Sequence, residues 1–330
     1  MGIPYPPAIK KAIEVLQKRA SHIDDEIQEM IDEIFPKEYI ALVQGNREVN
    51  TILFEMRWDL VFYTGSPATA KVLSAAQARY LTPMVLELGG KSPCIVDRDA
   101  DVQLAARRIV WGKCLNSGQT CIAPDYLFVH EDVRDEFVEY FKKELKALYP
   151  GGTHDSDYFV HIVRDAAFDR LVSYLSDGEI IAGGHSDPAI RWIEPTLLDN
   201  VSPDAPVMTN EIFGPIFPLM TFRDKAEVVD FVVSREKPLA FYYFGKKADA
   251  WEMIANTTSG GACINDTIMH VANSHIPFGG VGNSGMGSYH SERSFLAFSH
   301  ERSVLCTPAW IDLKFRYMPY KLFSLIKKML

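Results

Sequence analysis

Short apolar runs alternate along the chain with amphipathic stretches of helical length. Runs at 39–43, 60–63, 84–87, 94–96, 127–129, 180–182, 215–222, 239–244 and 261–264 predict strands. Between them, apolar residues recur at three- and four-residue spacing over 24–34, 48–55, 68–79, 102–113, 133–148, 164–175, 225–233 and 248–254, which predicts helices. Pro36 stops the first of these, and Asp101 is placed to cap the helix that starts at 102. Alternation at this spacing argues for βαβ units and a parallel sheet, hence an α/β fold. A further helix over 8–19 carries Ile9, Ile13 and Leu16 on one face, and the last stretch, 322–330, is apolar with Lys327 and Lys328. No internal repeat breaks the pattern.

With 330 residues and 47% hydrophobic content, the chain can bury a large core and divides most naturally into two domains. A net charge of −9 with both signs interspersed gives no basic face, which excludes a nucleic-acid partner. Five cysteines (94, 114, 121, 263 and 306) are odd in number and scattered, as expected of reduced thiols in a cytoplasmic protein. His270 and His275 stand five residues apart without carboxylate spacing, so no metal set is expected. The start, MGIPYPP, has no apolar signal core and lacks the Ser or Thr at position 6 that myristoylation needs. The basic apolar tail favours subunit packing or exposure, with peripheral membrane contact as the weaker alternative.

Candidate chemistry concentrates between residues 86 and 122. Glu87 closes an apolar run and is followed by Leu88, Gly89 and Gly90, at a sheet edge where sites in open α/β sheets are built. Cys121 lies in a small polar loop, Asn116-Ser117-Gly118-Gln119-Thr120, that leaves its sulfur reachable. A thiol and a carboxylate in reach of each other suit covalent catalysis followed by water attack. A lone cysteine is otherwise a structural thiol, and a strand-end glutamate a surface charge. Tyr63-Thr64-Gly65-Ser66 stands at a strand-to-helix turn, either an ordinary βα turn or a phosphate cradle.

LELGGKSP and NSGQTC, with EIFGPIFP at 211–218 and HIPFGGVGNSGMGSYH at 275–290, resemble the NAD(P)-dependent aldehyde dehydrogenases, in particular the class 3 branch acting on fatty and aromatic aldehydes. The resemblance runs over about 22–320 and starts part-way through the family's pattern. It implies an incomplete Rossmann-like cofactor domain (22–88), a catalytic domain (89–290) and a C-terminal return and oligomerisation segment (291–330), with 1–21 outside the motifs. It implies NAD or NADP as cofactor, an aldehyde substrate and a homodimer. Cys121 matches the nucleophile, forming a thiohemiacetal and then a thioester, and Glu87 the base that activates water. Gly65, Ser66, Leu88, Gly89, Glu211 and Phe213 match cofactor contacts. Ala70 stands where the family commonly has glycine, and Pro67 replaces the usual Thr. The family's asparagine oxyanion donor and adenosine-ribose lysine belong to a segment that this sequence does not hold. Two rival readings stay open: a catalytically silent relative acting as an assembly partner, and a cofactor-free cysteine hydrolase.

Overall fold

The computed structural model describes residues 23–312, 314–319 and 327–328. The helix expected over 8–19 lies outside these, as does the helix expected over 322–330 apart from Lys327 and Lys328, which form an exposed turn. The chain opens with α1 (Ile23–Ile34) and α2 (Arg47–Glu55), then runs through β1 (Val61–Gly65), α3 (Pro67–Ala78) and β2 (Met84–Leu88). β1 and β2 pair in parallel, Thr64 opposite Glu87 and Gly65 opposite Leu88. Ser66 caps α3 by accepting the Thr69 N–H, with Pro67 at the first helical position, where a missing N–H costs nothing.

Only residues 89–92 separate β2 from β3 (Pro93–Val96). After it come α4 (Val102–Cys114), β4 (Tyr126–His130), α5 (Arg134–Leu148) and α6 (Asp165–Tyr174). Four short strands follow: β5 (Glu179–Ala182), β6 (Ser186–Asp187), β7 (Trp192–Ile193) and β8 (Thr196–Asp199). The chain continues through α7 (Pro206–Thr209), β9 (Ile216–Phe222), α8 (Lys225–Val233), β10 (Ala240–Phe244), α9 (Lys247–Asn256) and β11 (Gly261–Ile264). It closes with β12 (Gly285–Met286) and α10 (Glu292–Ala297). The larger sheet has the order β11-β10-β3-β4-β9-β8-β5, all parallel except the edge strand β5. β12 pairs antiparallel with β2, so the chain rejoins the smaller sheet, β1-β2-β12, at 285–286, ahead of the boundary drawn at 290 from sequence.

The central strands β3, β4 and β10 are almost continuously apolar and buried because both faces of the sheet are covered there. In β4, Leu127 and Val129 face the core under α4 and α5, while Tyr126 and Phe128 face the one under α6, α8 and α9. β10 divides the same way, Tyr242 and Phe244 against Phe241 and Tyr243. Asp101 caps α4 as expected, accepting the Leu104 N–H at 3.0 Å.

The run at 39–43 is not a strand: it is irregular, and Tyr39 is 83% exposed. An apolar run forms a strand only when a neighbour takes its N–H and C=O groups, and no ladder among the described residues reaches this one. β6, β7, β8 and β12 went unforeseen; β6, β7 and β12 are only two residues long, and β8 follows Pro195 without a period-two pattern.

α2 and α3, which accompany the smaller sheet, are tied to each other by a fully buried polar side chain. Gln77 of α3 donates from Nε2 to the carbonyls of Phe54 (2.6 Å) and Met56 (2.8 Å) at the end of α2. Gln77→Ala leaves both without a donor, at a cost of about 1–3 kcal/mol. The expected outcome is a matching loss of hydrogen-exchange protection in α2 and α3, with the helices of the larger sheet unaffected.

Candidate active site

Three consecutive residues after α4 take left-handed backbone conformations: Asn116 (φ +52°), Ser117 (φ +53°) and Gly118 (φ +75°). Asn and Gly tolerate this region best, which accounts for the composition of the loop. The reversal carries Cys121 to the amino end of β4. A Cβ on Gly118 would collide with the carbonyl oxygen of Gly214, so the cysteine loop and the EIFGP segment are in backbone contact. Gln119 locks the loop, accepting the Val163 N–H at 3.0 Å and donating to the His161 carbonyl at 3.1 Å.

Cys121 is partly buried, and its sulfur receives the backbone N–H groups of Cys121 and Ile122. Burial nevertheless pushes the thiol up to about 11, helped by the negative charges of Glu87 and Glu211. Glu87 sits on β2 between Thr64 and Gly285, is 3% exposed, and has no hydrogen-bond partner on either oxygen. Burial alone raises its pKa from 4.5 to about 7. At neutral pH the pair is therefore a protonated thiol beside a half-ionised carboxyl with open lone pairs.

Glu211 completes the group. Burial and the nearby Asp125 charge raise it to about 7, opposed by the Gly90 N–H, Lys113 and Lys91. Its own carbonyl and that of Ile212 accept from Arg170 at 3.0 and 2.8 Å, and the Ile212 N–H donates to Asp125 at 3.0 Å. Lys91 binds Asp125 as well as the carbonyls of Val207 (2.8 Å) and Asn210 (2.9 Å). The Glu211 backbone is thus held from both sides, while the Oε1 atom of its carboxylate has no partner. Gly89 is bare because Glu211 lies over it: a Cβ there would strike the carboxylate. A cavity of about 880 Å³ opens beside these groups, lined among others by Pro67, Gly89, Gly90, Glu211, Lys237 and Pro238. A carboxylate with an open oxygen, a glycine floor and a helix N-terminus in one cavity fit a nucleotide carrying ribose and phosphate.

Residues 18–304 match the family model described as the aldehyde dehydrogenase family. The chain belongs to this family. It is 44% identical over 287 residues to the mouse "Aldehyde dehydrogenase, dimeric NADP-preferring", covering 87% of this chain and 63% of that protein. To the Staphylococcus aureus "4,4'-diaponeurosporen-aldehyde dehydrogenase" it is 42% identical over 298 residues, covering 89% of this chain and 65% of that protein. It therefore spans a little under two thirds of the length of these relatives. Among solved structures, "Substrate bound state of Staphylococcus Aureus AldH" superposes with a TM-score of 0.90 at 40% identity, covering 93% of this chain and 68% of that one. An NAD-dependent aldehyde dehydrogenase from Sinorhizobium meliloti gives 0.78 at 26% identity, covering 88% and 61%.

Among the residues singled out from the family motifs, Glu87, Cys121 and Glu211 share one electrostatic neighbourhood, with Gly89 against Glu211. Phe213 follows with φ +50° and a 41% exposed ring, a strained position for a bulky residue. Gly65 and Ser66 lie at the carboxyl end of β1, but the Ser66 oxygen is engaged in capping α3. Leu88 offers only backbone, because its side chain is buried in the core with Leu73, Leu86 and Ala70. Ala70 likewise packs between helix and sheet.

Sequence reasoning missed Lys91, Asp125 and Arg170, whose roles depend on partners distant in the chain. It also missed Lys113, fully buried with its amine unpaired and 6.0 Å from the Phe217 ring, and Tyr289, raised to about 12 by burial and by Glu87 and Cys121. Among the described residues Cys121 makes no hydrogen bond to an imidazole, whereas Cys263 contacts His270 at 3.2 Å. A cysteine hydrolase would need that partner at Cys121.

Glu87 holds its proton more tightly folded than unfolded. Its contribution to stability is therefore fully present below pH 4.5 and is lost as pH rises through about 7. Glu87→Gln removes that loss. The variant is expected to gain about 2–3 kcal/mol over the parent between pH 5 and pH 8, read from urea unfolding at both values. It should also lower the Cys121 pKa by removing a neighbouring negative charge, moving the midpoint of iodoacetamide alkylation of the Cys121 peptide to lower pH.

Proposed function

We propose that the chain carries an aldehyde dehydrogenase active site that oxidises aliphatic or aromatic aldehydes to carboxylic acids with NAD or NADP. The observation that supports it most is Glu87, a buried carboxylate with two unpaired oxygens and a pKa near 7, beside the Cys121 thiol. In this reading the Cys121 sulfur adds to the aldehyde carbon as its proton leaves, giving a thiohemiacetal. The backbone N–H groups at the sulfur lower the cost of the negative charge that develops there. When bound, the nicotinamide supplies the acceptor for the hydride that leaves the thiohemiacetal carbon. Glu87 then takes a proton from water, whose oxygen attacks the thioester, and the thiol departs with the carboxylic acid released.

Around these groups, Glu211 would accept the ribose hydroxyls and Phe213 would pack beside the nicotinamide. Gly89, the backbone of Leu88 and the turn at Gly65 and Ser66 would allow close approach to the nucleotide. Tyr289, close enough to Glu87 and Cys121 to feel their charges, packs edge-on against the buried Phe278 with ring centres 5.7 Å apart and would back the site with aromatic surface that suits an apolar aldehyde. Exposed apolar side chains on the C-terminal arm, among them Leu305 and Trp310, support association with a second copy. No helix among the described residues is long and apolar enough to cross a membrane.

Calorimetric titration with NAD and NADP, followed by an assay of aldehyde-dependent reduction, tests the reading. Micromolar binding is expected, with turnover that Cys121→Ser abolishes and that climbs with pH through about 7 as Glu87 ionises. Folded protein that binds neither cofactor would overturn it.

A further inference from the structure

Three cations line the cavity: Lys91, Arg235 and Lys237. Two are committed within the protein. Lys91 bridges Asp125 and two carbonyls. Arg235 lies 3.4 Å over the Phe231 ring and donates to the carbonyls of Phe231 and Pro203. Lys237 makes neither a hydrogen bond nor an ion pair among the described residues. Its stem runs along the backbone of Gly282, where a Cβ would meet the Lys237 Cδ at 3.5 Å. Pro238, the next residue, has its Cα 3.4 Å from the corresponding position on Gly90. The chain around Lys237 is thus packed, while the ammonium is exposed on the cavity wall.

We propose that Lys237, which lines the same cavity as Pro67 at the start of α3, binds the pyrophosphate of the dinucleotide. This rests on the reading of the cavity as the dinucleotide site. Asp204, Glu211 and Glu236 also line the cavity, so a doubly anionic group entering it needs an uncommitted cation to offset their charge. The start of α3, with Pro67 at its first position, offers partial positive charge from one wall. Lys237 offers the full charge that Lys91 and Arg235 have already committed elsewhere. The pyrophosphate is favoured over a 2′-phosphate by position: Lys237 shares the cavity with Glu211, the ribose-binding candidate, and the pyrophosphate is the next group along a dinucleotide from that ribose.

The test is fluorescence titration of NADH and NADPH into the full chain, Lys237→Gln, and Lys247→Gln as an equal loss of charge beyond the other end of β10. Calorimetry with inorganic pyrophosphate accompanies it. Lys237→Gln is expected to weaken both nucleotides about three- to tenfold, with the deficit shrinking at high salt, and to weaken pyrophosphate in parallel. Lys247→Gln should match the parent. Unchanged binding in Lys237→Gln, or a loss confined to NADPH, would overturn the assignment. If the parent binds neither nucleotide, the dehydrogenase reading fails instead. Pyrophosphate then decides alone: Lys237-dependent binding keeps the anion site, and absent or Lys237-independent binding removes it.

Discussion

The passage from β2 to β3 in four residues constrains the whole site. It sets the carboxyl end of the smaller sheet against the amino end of the larger one, and each of the four residues answers a different demand of that junction. Gly89 yields space to the Glu211 carboxylate, and Gly90 approaches the backbone of Pro238 and Leu239 while directing its N–H at Glu211. Lys91 ties down Asp125 and the segment leading to Glu211. Ser92 accepts the Asp125 N–H on its carbonyl at 2.7 Å and the Ala240 N–H on its hydroxyl at 3.2 Å. A side chain at either glycine, or a neutral residue at 91, would disturb groups brought from three other parts of the chain: Asp125, the segment 207–211 and the segment 238–239.

Proton positions in the site follow from burial more than from specific bonds. Glu87 near 7 and Cys121 near 11 are both shifted first by desolvation, and the Glu87 charge raises Cys121 further. The gap of about four pH units corresponds to roughly 5 kcal/mol against moving the thiol proton to the carboxylate at rest. Free thiolate is therefore scarce, which protects the sulfur from oxidants, and proton departure has to accompany attack on a carbonyl carbon. The unpaired oxygens of Glu87 are a stability defect that the fold tolerates where an acceptor for a water proton is needed.

What the sequence disclosed and what it hid divide along the range of the interactions involved. Helices were legible because their determinants are local: Asp101 and Leu104, or Ser66 and Thr69, lie three residues apart. Glu87 and Cys121 were legible through their immediate neighbours, a glycine turn and a small-residue loop. Arg170, Asp125 and Lys113 look like ordinary members of polar or amphipathic stretches, and only contacts spanning dozens of residues give them their roles. The run at 39–43 failed for the complementary reason, since its local pattern was sound and the missing ingredient was a neighbour.

The position of the site on the larger sheet also has a physical explanation. Open α/β sheets usually bind ligands outside the carboxyl ends of their strands, where the direction of crossover reverses. Here β3 leads toward β4 while β10 returns to its other side, so the reversal lies between β3 and β10. The carboxyl ends of those strands are occupied by the protein's own charges: Tyr243 donates to Asp97, and Lys246 pairs with Asp99 and Lys225 with Asp249, each at 2.7 Å. Those groups satisfy one another, and none of their side-chain oxygens is buried without a partner among the described residues. At the amino ends, Glu211 keeps an open carboxylate oxygen and Cys121 meets Glu87, which the smaller sheet brings across the four-residue junction. Unmet polar capacity therefore collects where the two sheets meet, and that is where a ligand has most to offer the fold.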